Sequence, residues 1–180
     1  MRVYDNIVLI GMPGVGKSTA GVIAAKQLGL RFIDSDLLIQ HHEQKLLKQI
    51  IADEGVDGFL KIENDVLKSI DDKGVLIATG GSAVYSKEAM LYLRQNSFII
   101  YLHINVPDLE KRLTDLQNRG VVSRPGQSIS DLYKERIMLY REYADEEIDE
   151  TGLDIEQTVR LICKRAPIYN YSQNACLTNS

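Results

Sequence analysis

The chain of 180 residues is short of several things, and each shortage narrows what it can be. It has two cysteines, Cys163 and Cys176, at no metal-ligand spacing, so neither a disulfide scaffold nor a zinc site finds support. Its apolar runs are no longer than a strand, which predicts no membrane span. A glycine-rich stretch from Gly11 stands where the apolar region of a signal peptide would end, so the expected compartment is the cytosol. No block of basic residues occurs and the net charge is −4, which leaves no footprint for nucleic acid or an anionic membrane and points to a small-molecule partner. There is no Asn-Lys-x-Asp guanine motif, which disfavours a signalling GTPase, and no linker. With 44% hydrophobic residues, the length suits one domain with one active site, and a monomer is expected.

What is present is concentrated near the start. The run Gly11-Met-Pro-Gly14-Val15-Gly16-Lys17-Ser18-Thr19 follows the apolar segment Ile7 to Ile10 and precedes a helical pattern. It fits the phosphate-binding loop G-x-x-x-x-G-K-[ST] in full, in the strand–loop–helix setting that motif requires. The glycines free the backbone so that successive N–H groups can converge on phosphate oxygens, and the helix adds its positive end. Lys17 can lay an ammonium along the β- and γ-phosphates, and Ser18 can ligate Mg²⁺. A nucleotide is the expected ligand.

Strand-like runs at Asn6 to Ile10, Leu30 to Ile33, Val75 to Ala78 and Phe98 to Ile104, with a shorter one at Glu147 to Asp149, alternate with helical stretches. Alternation of this kind predicts an α/β three-layer fold, a five-stranded parallel sheet flanked by helices, because parallel strands need long crossovers. Gly29 suits the end of the first helix, Pro107 the first turn of another, and Asp154 with Gln157 a capping box. Ligands of such sheets sit beyond the carboxyl ends of the strands. Three segments fall there: the glycine loop, Asp34 with Asp36, and Thr79-Gly80-Gly81-Ser82. The stretch from Thr114 to Ser128, with Arg119, Gly120, Arg124, Pro125 and Gly126, suggests a basic lid, with a plain surface loop as the alternative.

In Asp34-Ser35-Asp36 one carboxylate can face a metal while the other faces an acceptor hydroxyl. The alternative is that Ser35 or Asp36 only caps a helix beginning at Leu37. Beside a phosphate loop, Asp36 is assigned to orient or deprotonate the attacking hydroxyl. Glu63 lies inside an apolar helical stripe of Phe59, Ile62, Val66, Leu67 and Ile70, so it must be paired, protonated or facing a polar cavity unless it reaches water from the stripe's edge. Arg136, in a helix expected from Ser130 to Tyr143, could grip a carboxylate or phosphate bidentately. His41, His42 and His103 form no ligand cluster.

Taken in order, several motifs resemble the shikimate kinase family of small P-loop kinases, from about residue 5 to residue 162. They are the glycine loop, Phe32-Ile-Asp-Ser-Asp36, Glu54-Gly55 with Gly58-Phe59 and Ile62-Glu63, Gly80-Gly81 with Ala83-Val84, and Arg136 with Leu139-Tyr140-Arg141-Glu142 and Ala144-Asp145. The resemblance implies a fold like that of the nucleoside monophosphate kinases. It also implies transfer of the ATP γ-phosphate, with Mg²⁺, to a ring hydroxyl of shikimate. By the same resemblance Asp36 would contact the acceptor hydroxyls, Asp34 would support the metal, and Gly80 and Gly81 would offer backbone N–H groups. Arg136 would hold the acceptor carboxylate, Arg119 or Arg124 would neutralise transferring phosphate as the lid closes, and Arg112 would pack near adenine. The single kinase domain would then span residues 1–163, with an acceptor-binding region at about 36–70, a lid at about 114–128, and a C-terminal extension at 164–180.

Three departures fall on the acceptor half. The family usually has Phe-Arg where this chain has Phe59-Leu60, Gly-Gly-Gly where it has Gly80-Gly81-Ser82, and Arg-x-Pro-Leu-Tyr where it has Arg136-Ile-Met-Leu-Tyr140. Loss of a charge-assisted contact at position 60 is worth about 1.5 to 3 kcal/mol. Glu63 counts with Asp36, Gly80, Gly81 and Arg136 among the expected acceptor-binding residues, and with that Arg absent it is expected to pair with Arg136. A related kinase for another hydroxylated metabolite, or a nucleotide-binding regulatory paralogue without phosphotransfer, are the alternative readings.

Overall fold

The structure, a computed structural model, describes residues 4–112, 121–123 and 126–167. Arg119, Arg124 and the segment from residue 168 lie outside the described residues, as does most of the expected lid. Five strands, β1 (Asn6–Ile10), β2 (Arg31–Asp34), β3 (Val75–Ala78), β4 (Ser97–His103) and β5 (Glu146–Asp149), form one parallel sheet in the order β2-β3-β1-β4-β5. All four pairings are parallel, with Leu9 beside Ala78 on one side and beside Ile100 on the other. β1 and β3 are buried along their whole length, as expected for strands covered on both faces.

The helices are α1 (Lys17–Leu28), α2 (Ser35–Glu43), α3 (Leu47–Lys68), α4 (Lys87–Asn96), α5 (Val106–Arg112), α6 (Ile129–Tyr143) and α7 (Ile155–Arg165), with a 3₁₀ turn at Ala83–Tyr85. Helices α1 and α7 pack on each other, while α4 and α6 pack against β4. The chain steps from β1 out to β2 in one direction and from β2 to β5 in the other, and with the right-handed crossovers that parallel strands require this places helices on both faces of the sheet. The winding reverses around β1, and that is where the glycine loop leaves the sheet.

The punctuation is local. Gly29 closes α1 in the left-handed conformation, Asp154 and Gln157 form the expected capping box on α7, and Ser128 with Asp131 forms another on α6. Asn105 caps α5 by accepting from the Asp108 amide, just before Pro107 in the first turn. One expectation changes: α2 begins at Ser35, and its cap is Asp34, whose Oδ1 accepts from the amides of Asp36 and Leu37. Asp34 is also the last residue of β2, so the strand runs directly into the helix. Gly55, at φ 70° and ψ −179°, kinks α3 and divides it into two arms. A smaller core of Ile39, Leu47, Ile50, Phe59, Val66 and Val122 joins those arms to α2. No helix among the described residues is long and apolar enough to cross a membrane.

Candidate active site

A cleft of about 410 Å³ opens at the carboxyl edge of the sheet, between the glycine loop, α2, α3, the loop after β3, and α6. Its walls include Lys17, Asp36, Gly80, Gly81 and Arg136, which sequence reasoning had drawn from four separate segments. Ser18, Thr19, Gly14 and Gly16 line the same space. Gly16 is the N-cap of α1 at φ 103°, a conformation residues with a Cβ rarely adopt, and no side chain caps the helix there. The first amides of α1 are therefore presented to the cleft together with the positive end of the helix.

Lys17 is buried and donates to the carbonyls of Gly11 at 2.8 Å and Met12 at 2.9 Å. Burial lowers its pKa to about 8, against the pull of Asp36 and the other carboxylates. Asp36 is pushed the other way, to about 6, by burial first and by Asp34 second, with Lys17 opposing. A carboxylate of that pKa, beside an ammonium, is well placed to accept a proton near neutrality.

The part of the cleft that the resemblance assigns to the acceptor is built around Gly80. A Cβ there would come within 2.5 Å of Glu63 Oε1 and 2.8 Å of Asp36 Oδ1, so the two acids flank the glycine closely. The Gly80 N–H, which the resemblance assigned to the acceptor, donates to Ser35 Oγ at 3.0 Å. Gly81 lies under the glycine loop, where a Cβ would meet Pro13 Cδ at 2.6 Å. Glu63 is fully buried, and neither carboxyl oxygen has a hydrogen-bond partner. Burial raises its pKa to about 8; the Ser82 side chain, close but outside hydrogen-bond geometry, lowers it, as do Arg136 and Lys17, while Asp36 adds to the rise.

Arg136 is buried as well. Its Nε donates to Tyr85 Oη at 3.1 Å, its Nη2 to the Val122 carbonyl at 2.5 Å, and its guanidinium lies 5.0 Å from the centre of the Tyr85 ring. Nη1 has no partner. The expected Glu63–Arg136 ion pair is absent: Tyr85 and Val122 take two of the three guanidinium nitrogens, and neither the third nor either Glu63 oxygen finds a hydrogen-bond partner. Leu60 is partly buried against the smaller core and Lys61 is exposed, so α3 brings no cation to the cleft in place of the family's Arg.

Several contacts were not foreseen. Arg112 Nη1 donates to Val15 O at 3.2 Å and to Glu150 Oε1 at 2.6 Å, which ties the end of α5 to the glycine loop through a buried acid. Tyr140 Oη donates to the Gly81 carbonyl. Ser35, which the sequence offers only as a cap, instead accepts from the Gly80 amide. The position of Glu150, just past β5 on the ligand edge of the sheet, was the signal that could have found it.

The family description "Shikimate kinase" matches residues 13–176 of the chain. The chain belongs to the shikimate kinase family. The match reaches into the segment that sequence reasoning set apart as an extension. Shikimate kinase 2 of Yersinia pestis (strain Pestoides F) is 32% identical over 166 residues, covering 88% of this chain and 95% of that one. Shikimate kinase 2 of Yersinia enterocolitica is 35% identical over 152 residues, covering 82% and 87%. The solved shikimate kinase from Acinetobacter baumannii in complex with shikimate superposes with a TM-score of 0.83 at 32% identity, covering 89% of this chain and 92% of its own. The chain is thus a small-molecule kinase of the P-loop fold.

Proposed function

We propose that this kinase transfers the γ-phosphoryl group of ATP to a ring hydroxyl of shikimate, giving ADP and 3-phosphoshikimate. The observation that carries the reading is the convergence of Lys17, Asp36 and Arg136 on one cleft beside the uncapped start of α1. The amides of the glycine loop and of α1 would hold the phosphates, and the Lys17 ammonium would neutralise the β- and γ-oxygens. Asp36 would orient the acceptor hydroxyl and take its proton as the acceptor oxygen bonds to phosphorus and the bond to the ADP oxygen breaks. Arg136 Nη1 would bind the acceptor carboxylate, and Arg119 or Arg124 would approach the transferring group. Arg112, held by Glu150, would pack near adenine.

Ser18, on the cleft wall, and Asp34, at the end of β2, carry the donor types a magnesium ion would take. A hydroxyl and a carboxylate are the hard donors that ion takes, and it typically uses only one or two protein ligands beside nucleotide phosphates. Among the described residues no three His, Cys, Asp or Glu side chains converge to hold an ion by themselves. Asp34 Oδ1 is occupied by the α2 amides, so Oδ2 is the oxygen it would offer. The ion would neutralise phosphate charge. The kinase would work as a cytoplasmic monomer on a small molecule, with no nucleic acid or membrane partner.

A coupled ADP-release assay across an acceptor panel tests the reading. Release that depends on shikimate supports it. Release with another hydroxylated metabolite but not with shikimate would assign the altered acceptor half to that compound, and tight ATP binding without any turnover would mark a regulatory paralogue.

A further inference from the structure

The guanidinium of Arg136 is gripped from two sides. Its Nε donates to Tyr85 Oη at 3.1 Å and its Nη2 to the Val122 carbonyl at 2.5 Å, while the buried Nη1 has no partner. Few buried polar atoms in folded proteins stay that way unless something completes them. Arg136 is on the cleft wall and Tyr85 is not. Tyr85 ends the 3₁₀ turn that follows Gly80, Gly81 and Ser82, so its bond fixes the guanidinium relative to the loop after β3. The ring adds to the grip: the guanidinium carbon lies 5.0 Å from its centre, within cation–π range.

Chemistry dictates the direction of each bond at Tyr85. A guanidinium has no acceptor, so Tyr85 Oη accepts from Arg136 Nε and gives its own hydrogen to Glu135 Oε1, at 2.7 Å. Neighbouring residues of a helix do not face each other, and the Tyr85 hydroxyl bridges the exposed acid to the buried cation. Both bonds involve a charged group and are correspondingly strong. A guanidinium held at Nε and Nη2 cannot turn without breaking both, so Nη1 keeps one direction. We propose that Tyr85, backed by Glu135, is a positioning residue for the acceptor, holding Arg136 in the orientation in which Nη1 meets the acceptor carboxylate. The inference rests on the reading of Arg136 as the ligand of a carboxylate such as that of shikimate. An arginine already fixed gives up little rotamer freedom on binding, and that matters where α3 brings no second cation to the cleft.

Tyr85→Phe removes the hydroxyl and keeps the ring, which isolates the positioning bond from the ring contact. In steady-state kinetics the KM for shikimate should rise about tenfold, with kcat within about twofold. ATP affinity, measured by calorimetry, should also stay within about twofold and serves as the check for correct folding. Glu135→Ala, which loosens the surface end of the chain, should shift the shikimate KM in the same direction by less. A double-mutant cycle separates positioning from scaffolding. In Arg136→Met, which has no nitrogen to hold, Tyr85→Phe should change kcat/KM for shikimate less than about twofold, whereas a purely structural role would cost the same in both backgrounds. An unchanged shikimate KM in Tyr85→Phe overturns the proposal, as does an equal loss in the two backgrounds. If Arg136→Met raises the shikimate KM and Tyr85→Phe does not, this inference alone fails. If neither does, or shikimate neither binds nor reacts, the reading of Arg136 as the acceptor's ligand fails with it.

Discussion

Tyr140 donates its hydroxyl to the carbonyl of Gly81 at 2.7 Å, and so ties α6 to the loop after β3. The ring is fully buried and stacks on Tyr101 with centroids 4.9 Å apart, while the hydroxyl also lies 3.8 Å from Met12 Sδ in the glycine loop. One side chain therefore touches both the loop after β3 and the glycine loop. Removing only the hydroxyl, in Tyr140→Phe, leaves a buried carbonyl without its donor, at a cost of about 1 to 3 kcal/mol. Thermal unfolding should fall accordingly, and the KM for the acceptor should rise more than that for ATP.

Gly80 offers a more selective probe. A methyl group there would press on the carboxyl oxygens of Glu63 and Asp36, one in the buried wall and one at the cleft surface. Overpacking of this kind costs about 1 to 3 kcal/mol, so Gly80→Ala should lower kcat/KM for the acceptor about ten- to a hundredfold. ATP affinity, measured by calorimetry without acceptor, should stay within about twofold.

The parts of this molecule that were legible in sequence are those encoded within a few residues. Buried parallel strands read as short apolar runs, the phosphate loop as a motif, and the α7 capping box as Asp154 with Gln157. What escaped is set by contacts between distant segments. Ser35 and Gly80 are separated by 45 residues, Tyr140 and Gly81 by 59, and Arg112 and Glu150 by 38, and no local pattern announces any of them. The cap of α2 fell to Asp34 because β2 enters the helix without an intervening loop, which the strand estimate ending at Ile33 obscured. The Glu63–Arg136 pair was reasonable chemistry for two lone buried charges. It does not form: Tyr85 and the Val122 carbonyl take two of the guanidinium nitrogens, and the third has no partner.

Arg112 links the glycine loop to the end of β5. Its bond to the buried Glu150 carboxylate places it against the Val15 carbonyl, yet its own side chain is 37% exposed, so solvent screens much of the pairing. Arg112→Ala should raise the KM for ATP about tenfold, at the lower end for a charge-assisted contact, with the acceptor KM little changed. Glu150→Gln, which weakens the tether but leaves Arg112 in place, should have the same effect in smaller measure.

The buried acid also sets a stability profile. Glu63 binds its proton more firmly in the folded chain, at about 8 against an ordinary 4.5, so its contribution is complete at pH values below 4.5. It is lost as pH rises through that window to about 8, by an amount on the order of 3 to 5 kcal/mol. Asp36 acts in the same direction at lower pH, between 3.8 and about 6. Lys17 opposes above pH 8, since its lowered pKa makes stability climb between about 8 and 10.5. Urea denaturation from pH 5 to 8 should therefore show falling stability in the unaltered protein and a shallower fall in Glu63→Gln.

The proposed reaction is phosphoryl transfer between two ligands held in one cleft. Mass spectrometry of the mixture after incubation with ATP, magnesium and shikimate measures this directly. The predicted result is shikimate carrying one added phosphoryl group, formed in equal amount to ADP, and lost in both Lys17→Ala and Asp36→Asn. ADP appearing without any phosphorylated shikimate, or product formed undiminished by those two variants, would contradict it.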